Sequence, residues 1–299
     1  MEIFDLAISY TWDYDKEFID LLEKRFQKKG YKTFIIYKHN LSEVANLLRN
    51  NEIYFKAYLD RASDEDPGFE IITKLLTRKR SYIINPHKKT KKVTDKAYFH
   101  KKLLRKKFNL PKTFIVERYD KCPELNLTEE KIKELGIPFV IKPAVFSGGG
   151  QGVIKDGSSL EQIQNQRITS HSEKFLVQEK IHPIKIDHKR AWFRVFWAFG
   201  KVIPTWWDDH THIYHRLTNE HLNKFKLNQL IKITRRLARI ASIDYFSTEI
   251  ALTKNHKFVL IDYINDQCDM RLQSLHPDGV PNKVVVQFID ELIKKVAAL

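Results

Sequence analysis

The first 86 residues alternate apolar strands with amphipathic helices, and no other feature of the chain restricts its fold as much. FDLAISY, TFIIY, IYFKAYL and SYIIN read as strands. The stretches near Asp15 to Lys29, Ser42 to Arg49 and Phe69 to Thr77 carry the apolar spacing of helices. Such succession sets strands side by side through right-handed crossovers, which predicts a small parallel sheet. The turn after the first strand is Thr11, Trp12 and Asp13. A dinucleotide-binding sheet needs glycines there, so NAD is not expected. NPHKKTKKVTD combines turn residues with solvated charge and is the candidate linker out of this lobe.

Beyond it the pattern changes. A helix capped by Thr94 or Asp95 is expected to run to about Lys107, followed by a strand, TFIV, and a helix near Thr128 to Leu135. PFVIKPAVFSGGGQGVIKD reads as strand, glycine turn, strand. A helix near Ser159 to Arg167, the strand FLVQEKI, an aromatic hairpin (RAWFRVFWAFGKVIPTWW) and one helix near Glu220 to Ser242 follow. A second hairpin (STEIALTKNHKFVLIDY) and a terminal helix near Lys283 to Ala297 close the chain. The fold class expected is α/β combined with α+β, in three segments: 1–92, 93–187 and 188–299.

With 299 residues and 42% apolar content the chain has material for two or three cores. No basic stretch precedes an apolar one at the N-terminus, and no apolar run reaches the eighteen or so residues of a membrane span. Only Cys122 and Cys268 occur, without CxxC spacing, which fits two structural thiols in a cytoplasmic protein. The net charge is +15, and fifteen Lys or Arg residues between Ile71 and Lys112 face one acid, Asp95. That window is either a solvated face or a field that steers a polyanion such as a nucleotide, a phosphorylated substrate, an acidic peptide or RNA.

Two constellations carry chemistry. In the first, the apolar strand FVIKP delivers Lys142, and a loop follows with Gly148, Gly149, Gly150 and Gly152. Glycines permit positive φ and leave amides exposed, so the loop can cradle phosphate oxygens or simply turn a hairpin. It leads into a strand, so it is not a Walker loop. A cation inside an apolar strand needs an anionic partner to offset its desolvation, which favours the phosphate reading. In the second, Glu249 and Asp262 stand on the two strands of the last hairpin. Positions 249 and 262 are symmetric about its turn, so the carboxylates face each other on one side of the sheet. They would repel unless a positive group lies between them, and Mg²⁺ suits two carboxylates plus phosphate oxygens. The alternative is a pair of solvated strand acids.

In order and spacing these pieces resemble the ATP-grasp superfamily, whose best-known members join a carboxylate to an amine through an acyl phosphate. The resemblance covers roughly Asp95 to Arg271 and implies an ATP-grasp fold behind an N-terminal parallel-sheet lobe. TDKAYFHKKL is similar to the family's opening motif and implies that Lys96 binds phosphate. PFVIKPAVFSGGGQGVIK resembles the strand with a second phosphate lysine, Lys142, and the mobile glycine loop. FLVQEKI resembles the strand that meets the adenine edge, through Gln178, Glu179, Lys180 and Ile181, with Asp187 as ribose partner. WFRVFWAFGKVI resembles the segment supplying an arginine, Arg194, to the transferred phosphate. The last hairpin implies Glu249, Asp262 and Asn265 as ligands of Mg²⁺, which Mn²⁺ can replace. The family spaces its second acid and its asparagine two apart. Asp262 and Asn265 are three apart, so a bulge intervenes or Asp266 substitutes.

Arg271, just beyond, is placed either to hold an anionic substrate group or to make a structural salt bridge. His210, His212 and His215 beside Asp208 and Asp209 read as a polar rim, a solvated loop or a transition-metal site. Trp192, Trp197, Trp206 and Trp207 read as core packing ahead of base stacking. The function expected is an ADP-forming ligase acting on a carboxylate, with ATP and an anionic substrate as partners and no membrane. A kinase for an anionic small molecule, or a nucleic-acid-binding protein using residues 71–112, are the alternatives.

Overall fold

The computed structural model describes residues 1–145 and 150–299. Packing divides the chain into two compact units. The first comprises Met1–Lys89, Val195–Ser247 and Asp266–Leu299; the second comprises Thr90–Arg194 and Thr248–Asn265.

The first unit begins with the expected parallel sheet. Strands β1 (Glu2–Tyr10), β2 (Thr33–Ile36), β3 (Ile53–Arg61) and β4 (Tyr82–Ile84) lie in the order β2-β1-β3-β4, all parallel, with Leu6 beside both Thr33 and Ala57. Helices α1 (Lys16–Lys28), α2 (Leu41–Arg49) and α3 (Glu70–Arg78) make the crossovers. Val44 and Leu48 of α2 and Ile72 and Leu76 of α3 close over Ala7, Phe55 and Tyr58 to form one core. The segment read as a linker is instead helix α4 (His87–Thr94). Thr90 and Val93, three apart, are buried while the lysines between them face water, so an apolar stripe too sparse to see in the sequence suffices.

The second unit carries helix α5 (Lys96–Arg105), then strand β5 (Thr113–Val116), helix α6 (Glu129–Lys133), strands β6 (Phe139–Pro143) and β7 (Ile154–Gly157), helix α7 (Leu160–Thr169) and strand β8 (Phe175–Glu179). The sheet order is β5-β8-β6-β7, antiparallel throughout. Strand alternation assigns its two faces. Phe139, Ile141, Phe175 and Val177 pack with Ile132 of α6 and Ile163 of α7. Leu176 and Ala144 pack on Ala97 of α5. Lys142 is paired with Leu176 and Val140 with Gln178, so Lys142 and Gln178 share the face that α5 covers.

After the small hairpin of β9 (Lys185–Ile186) and β10 (Lys189–Arg190) comes a five-stranded sheet. It is built from β11 (Trp192–Ala198), β12 (Lys201–Trp207), β13 (Tyr214–Arg216), β14 (Tyr245–Thr253) and β15 (Lys257–Asn265), in the order β13-β12-β11-β14-β15. Strands β11 and β14 each begin in one unit and end in the other. The single helix expected over 220–242 is two, α8 (Asn219–Lys224) and α9 (Gln229–Ala241), because Lys226 takes φ +55° and breaks the ladder. Helix α10 (Asn282–Ala297) returns to the first unit, where Phe288 meets Phe18 of α1 with ring centres 6.1 Å apart. Among the described residues no helix is long and apolar enough to cross a membrane.

Candidate functional site

Three cations and two carboxylates gather in the second unit. Lys96 opens α5, where Asp95 caps the helix by accepting from the Tyr98 amide at 2.9 Å. The Lys96 amide donates to the Ala144 carbonyl at 2.8 Å, which ties the helix start to the chain leaving β6. Lys142 is 7% exposed on β6. Its Nζ donates to the Ile261 carbonyl at 3.0 Å and stands 5.6 Å from the centre of the Tyr263 ring. Burial pulls the Lys142 pKa from 10.5 down to about 8; Asp262 and Glu249 oppose the fall and Lys96 adds to it.

Asp262 lies on β15. Burial alone would push its carboxyl up, but Lys96, Lys142 and Arg194 together hold it below the usual carboxylate range. Lys96 Nζ is 3.8 Å from Asp262 Oδ1. That oxygen is out of contact with water and has no hydrogen-bond donor among the described residues. Glu249, on β14, is ion-paired with Arg194 and accepts from Trp192 Nε1 at 3.1 Å. Thr248 donates through Oγ1 to the Asp262 carbonyl at 2.7 Å, pinning β14 to β15 at the level of the two acids. Part of the positive charge that the two carboxylates demand is supplied by the protein, with Arg194 bonded to Glu249 and acting on Asp262.

A buried polar layer supports this cluster. The Tyr263 hydroxyl is hydrogen-bonded to His100 Nδ1 and accepts from Gln178 Nε2 at 3.3 Å, while Gln178 also donates to Thr113 Oγ1 at 2.8 Å. Burial, with help from Lys142, lowers the His100 pKa from 6.5 to about 4, so the imidazole is neutral at pH 7. These hydrogen bonds hold the Tyr263 ring beside the Lys142 ammonium.

No protein-family model matches this chain, and no curated protein does. Solved structures do. The D-alanine–D-alanine ligase of Bacillus anthracis, solved with ATP, gives a TM-score of 0.63 at 14% identity, over 99% of this chain and 98% of that one. An ATP-grasp RimK-domain protein of Sphaerobacter thermophilus gives 0.62 at 18% identity, over 96% and 98%. The ATP-grasp ligase PsnB, solved with a minimal precursor, Mg and ADP, gives 0.59 at 10%, again over 96% and 98%. This chain has the ATP-grasp fold.

Within the ATP-grasp fold the structure brings together Lys96, Lys142, Arg194, Glu249 and Asp262. Gly148 and Gly149 lie outside the described residues. Gly150 and Gly152 take φ of +83° and +71°, the conformation for which a loop selects glycine. Of the adenine-edge candidates, Gln178 turns its side chain into the polar layer. Glu179 accepts from the Lys112 amide at 2.7 Å, Lys180 is paired with Asp156, and Ile181 is partly exposed. Asp187 and His188 form the two-residue turn between β9 and β10, with φ of +51° and +62°. Asn265 ends β15, and Asp266 begins a segment of the first unit, where burial and Asp64 raise its pKa.

Arg271, also in the first unit, is gripped on two sides: Asp269 at 2.8 Å and Asp278 at 2.9 Å. Of the two roles open to it in the sequence, its geometry matches the salt bridge. Among the described residues no group of three or more His, Cys, Asp or Glu is placed to hold a metal, which corrects the transition-metal reading of residues 208–215. His212 stacks on Trp207 at 5.3 Å, and Asp208 accepts from the His210 and Thr211 amides instead. Sequence reasoning missed His100, Trp192 as a donor and Thr248. His100 was within reach, since it lies four residues after Lys96 and thus on the same helical face.

Proposed function

We propose that this chain is an ATP-dependent, ADP-forming ligase that activates a substrate carboxylate as an acyl phosphate for attack by an amine. One observation carries the reading. Lys142 is buried, is depressed to a pKa of about 8, and has a backbone carbonyl as its hydrogen-bond acceptor. A cation held at that cost needs an anion that arrives and leaves, and a polyphosphate is one. Lys96, Lys142 and Arg194 would neutralise the triphosphate, and Arg194 would meet the transferred phosphoryl group as charge moves onto ADP. The neighbours solved with ATP, or with Mg and ADP, support this assignment of the fold's nucleotide site.

The donor set fits Mg²⁺. Asp262 Oδ1 is an acceptor with no hydrogen-bond donor among the described residues, Glu249 is a second carboxylate, and Asn265, three residues along the same strand, would add an amide oxygen where a bulge turns it to that face. Held by these residues, magnesium would supply positive charge that offsets the charge of the phosphates. Gln178 to Ile181 and Asp187 are assigned to adenine and ribose. Functionally the chain then divides into an N-terminal lobe, 1–92, a nucleotide lobe, 93–187, and a metal-binding lobe, 188–299, in a cytoplasmic enzyme with an anionic substrate.

ATP with Mg²⁺ is expected to raise the melting temperature by mass action. No shift would remove the nucleotide site. Product mass decides the reaction: loss of water between two substrates marks ligation, and gain of one phosphate overturns it in favour of a kinase. Replacing Glu249 and Asp262 by alanine together is expected to lower ADP release by about 100-fold or more.

A further inference from the structure

The charge of this chain is less localised than its total implies. Between His210 and Ile243 seven Lys or Arg residues stand against a single acid, Glu220. This second basic segment, hidden by acids elsewhere, folds as α8 and α9 in the first unit. Helix α9 segregates it sharply. Leu230, Thr234, Leu237, Ala238 and Ala241 are buried, whereas Lys232, Arg235, Arg236 and Arg239 are exposed. Their spacing of 0, 3, 4 and 7 is that of one helical face, a row about 10 Å long at roughly 1.5 Å per residue. Lys224 and Lys226, both exposed, extend the charge ahead of the helix. Among the described residues no carboxylate stands within 4.0 Å of Lys232, Arg235 or Arg239.

We propose that this face of α9 binds the phosphodiester backbone of a nucleic acid without reading its sequence. Three features select that partner. The apolar side of α9 is already used in its own core, so nothing is left to enter a bilayer. Protein partners dock around an aromatic or aliphatic anchor, and among the described residues no large apolar side chain is exposed between Ile168 and Leu275. The same lack removes base stacking, which leaves phosphate contact alone. Three of the four cations are arginines, whose planar forks suit phosphate oxygens. The surface belongs to the first unit and the nucleotide-site residues to the second, and the proposal does not rest on the nucleotide reading.

The test is fluorescence anisotropy of the full chain with mixed-sequence duplexes of about 20 base pairs, in parallel RNA and DNA arms, across salt. Four phosphate contacts predict a slope of log K on log salt of about −3.6, a fall of roughly 150-fold from 50 to 200 mM. The Lys232→Gln, Arg235→Gln, Arg239→Gln variant is expected to make that slope shallower by about 2.7, with an unchanged urea midpoint to show that it folds. The same three-fold neutralisation at Lys88, Lys91 and Lys92, on α4, measures the other basic window for comparison. A preference in the RNA or the DNA arm assigns the source of the backbone. An unaltered slope in the α9 variant overturns the proposal, as does absence of binding at 50 mM salt. Capture by vesicles containing anionic phospholipid with no binding to either duplex overturns it in favour of a membrane surface.

Discussion

The two units each bury an ionic group, and the groups are built to opposite ends. In the first unit Arg61 meets Asp15 through two parallel hydrogen bonds, 2.6 and 2.8 Å, and spends a further N–H on the Cys268 carbonyl at 3.0 Å. Charge and hydrogen bonds both close. In the second unit Lys142 has a carbonyl for its acceptor, Asp262 keeps one oxygen without a donor among the described residues, and Lys96 approaches that oxygen no nearer than 3.8 Å. A closed pair stabilises a fold. An open one stores electrostatic free energy that a ligand can release, which is why shifted ionisation clusters at working sites.

Arg61→Met tests the closed pair and has the largest expected effect. It strands the Asp15 carboxylate in the core and should cost about 3–5 kcal/mol in urea unfolding, while the thermal response to ATP survives in whatever protein folds. Lys142→Met tests the open cluster and should reverse the pattern. Stability without nucleotide should move by less than about 1.5 kcal/mol, since a similar volume is kept and a buried charge removed. Meanwhile kcat/KM for ATP should fall about 100-fold. If both variants lose stability alike, the contrast between the units is wrong.

A pH series sharpens the contrast further. The Lys142 pKa is lowered on folding, from 10.5 to about 8. Below pH 8 both states hold the proton and the cost of burying it is paid in full. Between pH 8 and 10.5 the unfolded chain binds more protons, so the wild type should gain stability with rising pH relative to Lys142→Met. Calorimetry in buffers of different ionisation heat should show proton uptake on ATP binding near pH 8. The smallest effect is expected at Asp187→Gly. Glycine suits the positive φ of that turn, so stability should hold, and the loss of one exposed partner should raise KM for ATP only a few-fold, about 1 kcal/mol.

Much of this was written in the sequence. Alternation of strand and helix identified the parallel sheet, and the hairpin pattern put Glu249 and Asp262 on two neighbouring strands, β14 and β15. Local patterning was enough in both cases. What escaped had a reason in each case. Helix α4 needs just two buried residues, Thr90 and Val93, and its lysines outweigh them in any count of polarity. The break before α9 depends on one left-handed residue, Lys226, which is neither glycine nor asparagine. That Arg194 would bond Glu249 depends on β11 lying beside β14, a long-range pairing invisible to spacing rules. The α9 face was masked because net charge sums over a chain and binding surfaces do not.

The division into units has a consequence for anyone who would dissect the molecule. The chain passes from one unit to the other four times, after Lys89, Arg194, Ser247 and Asn265, twice in the middle of a strand. No truncation from either end isolates a whole unit, so deletion mapping would return fragments with severed sheets, and loss of activity in them would say nothing about where activity resides. Both units must also wait for distant segments before they can close, which ties the birth of the nucleotide site to the emergence of Thr248–Asn265, more than fifty residues after Arg194, from the ribosome.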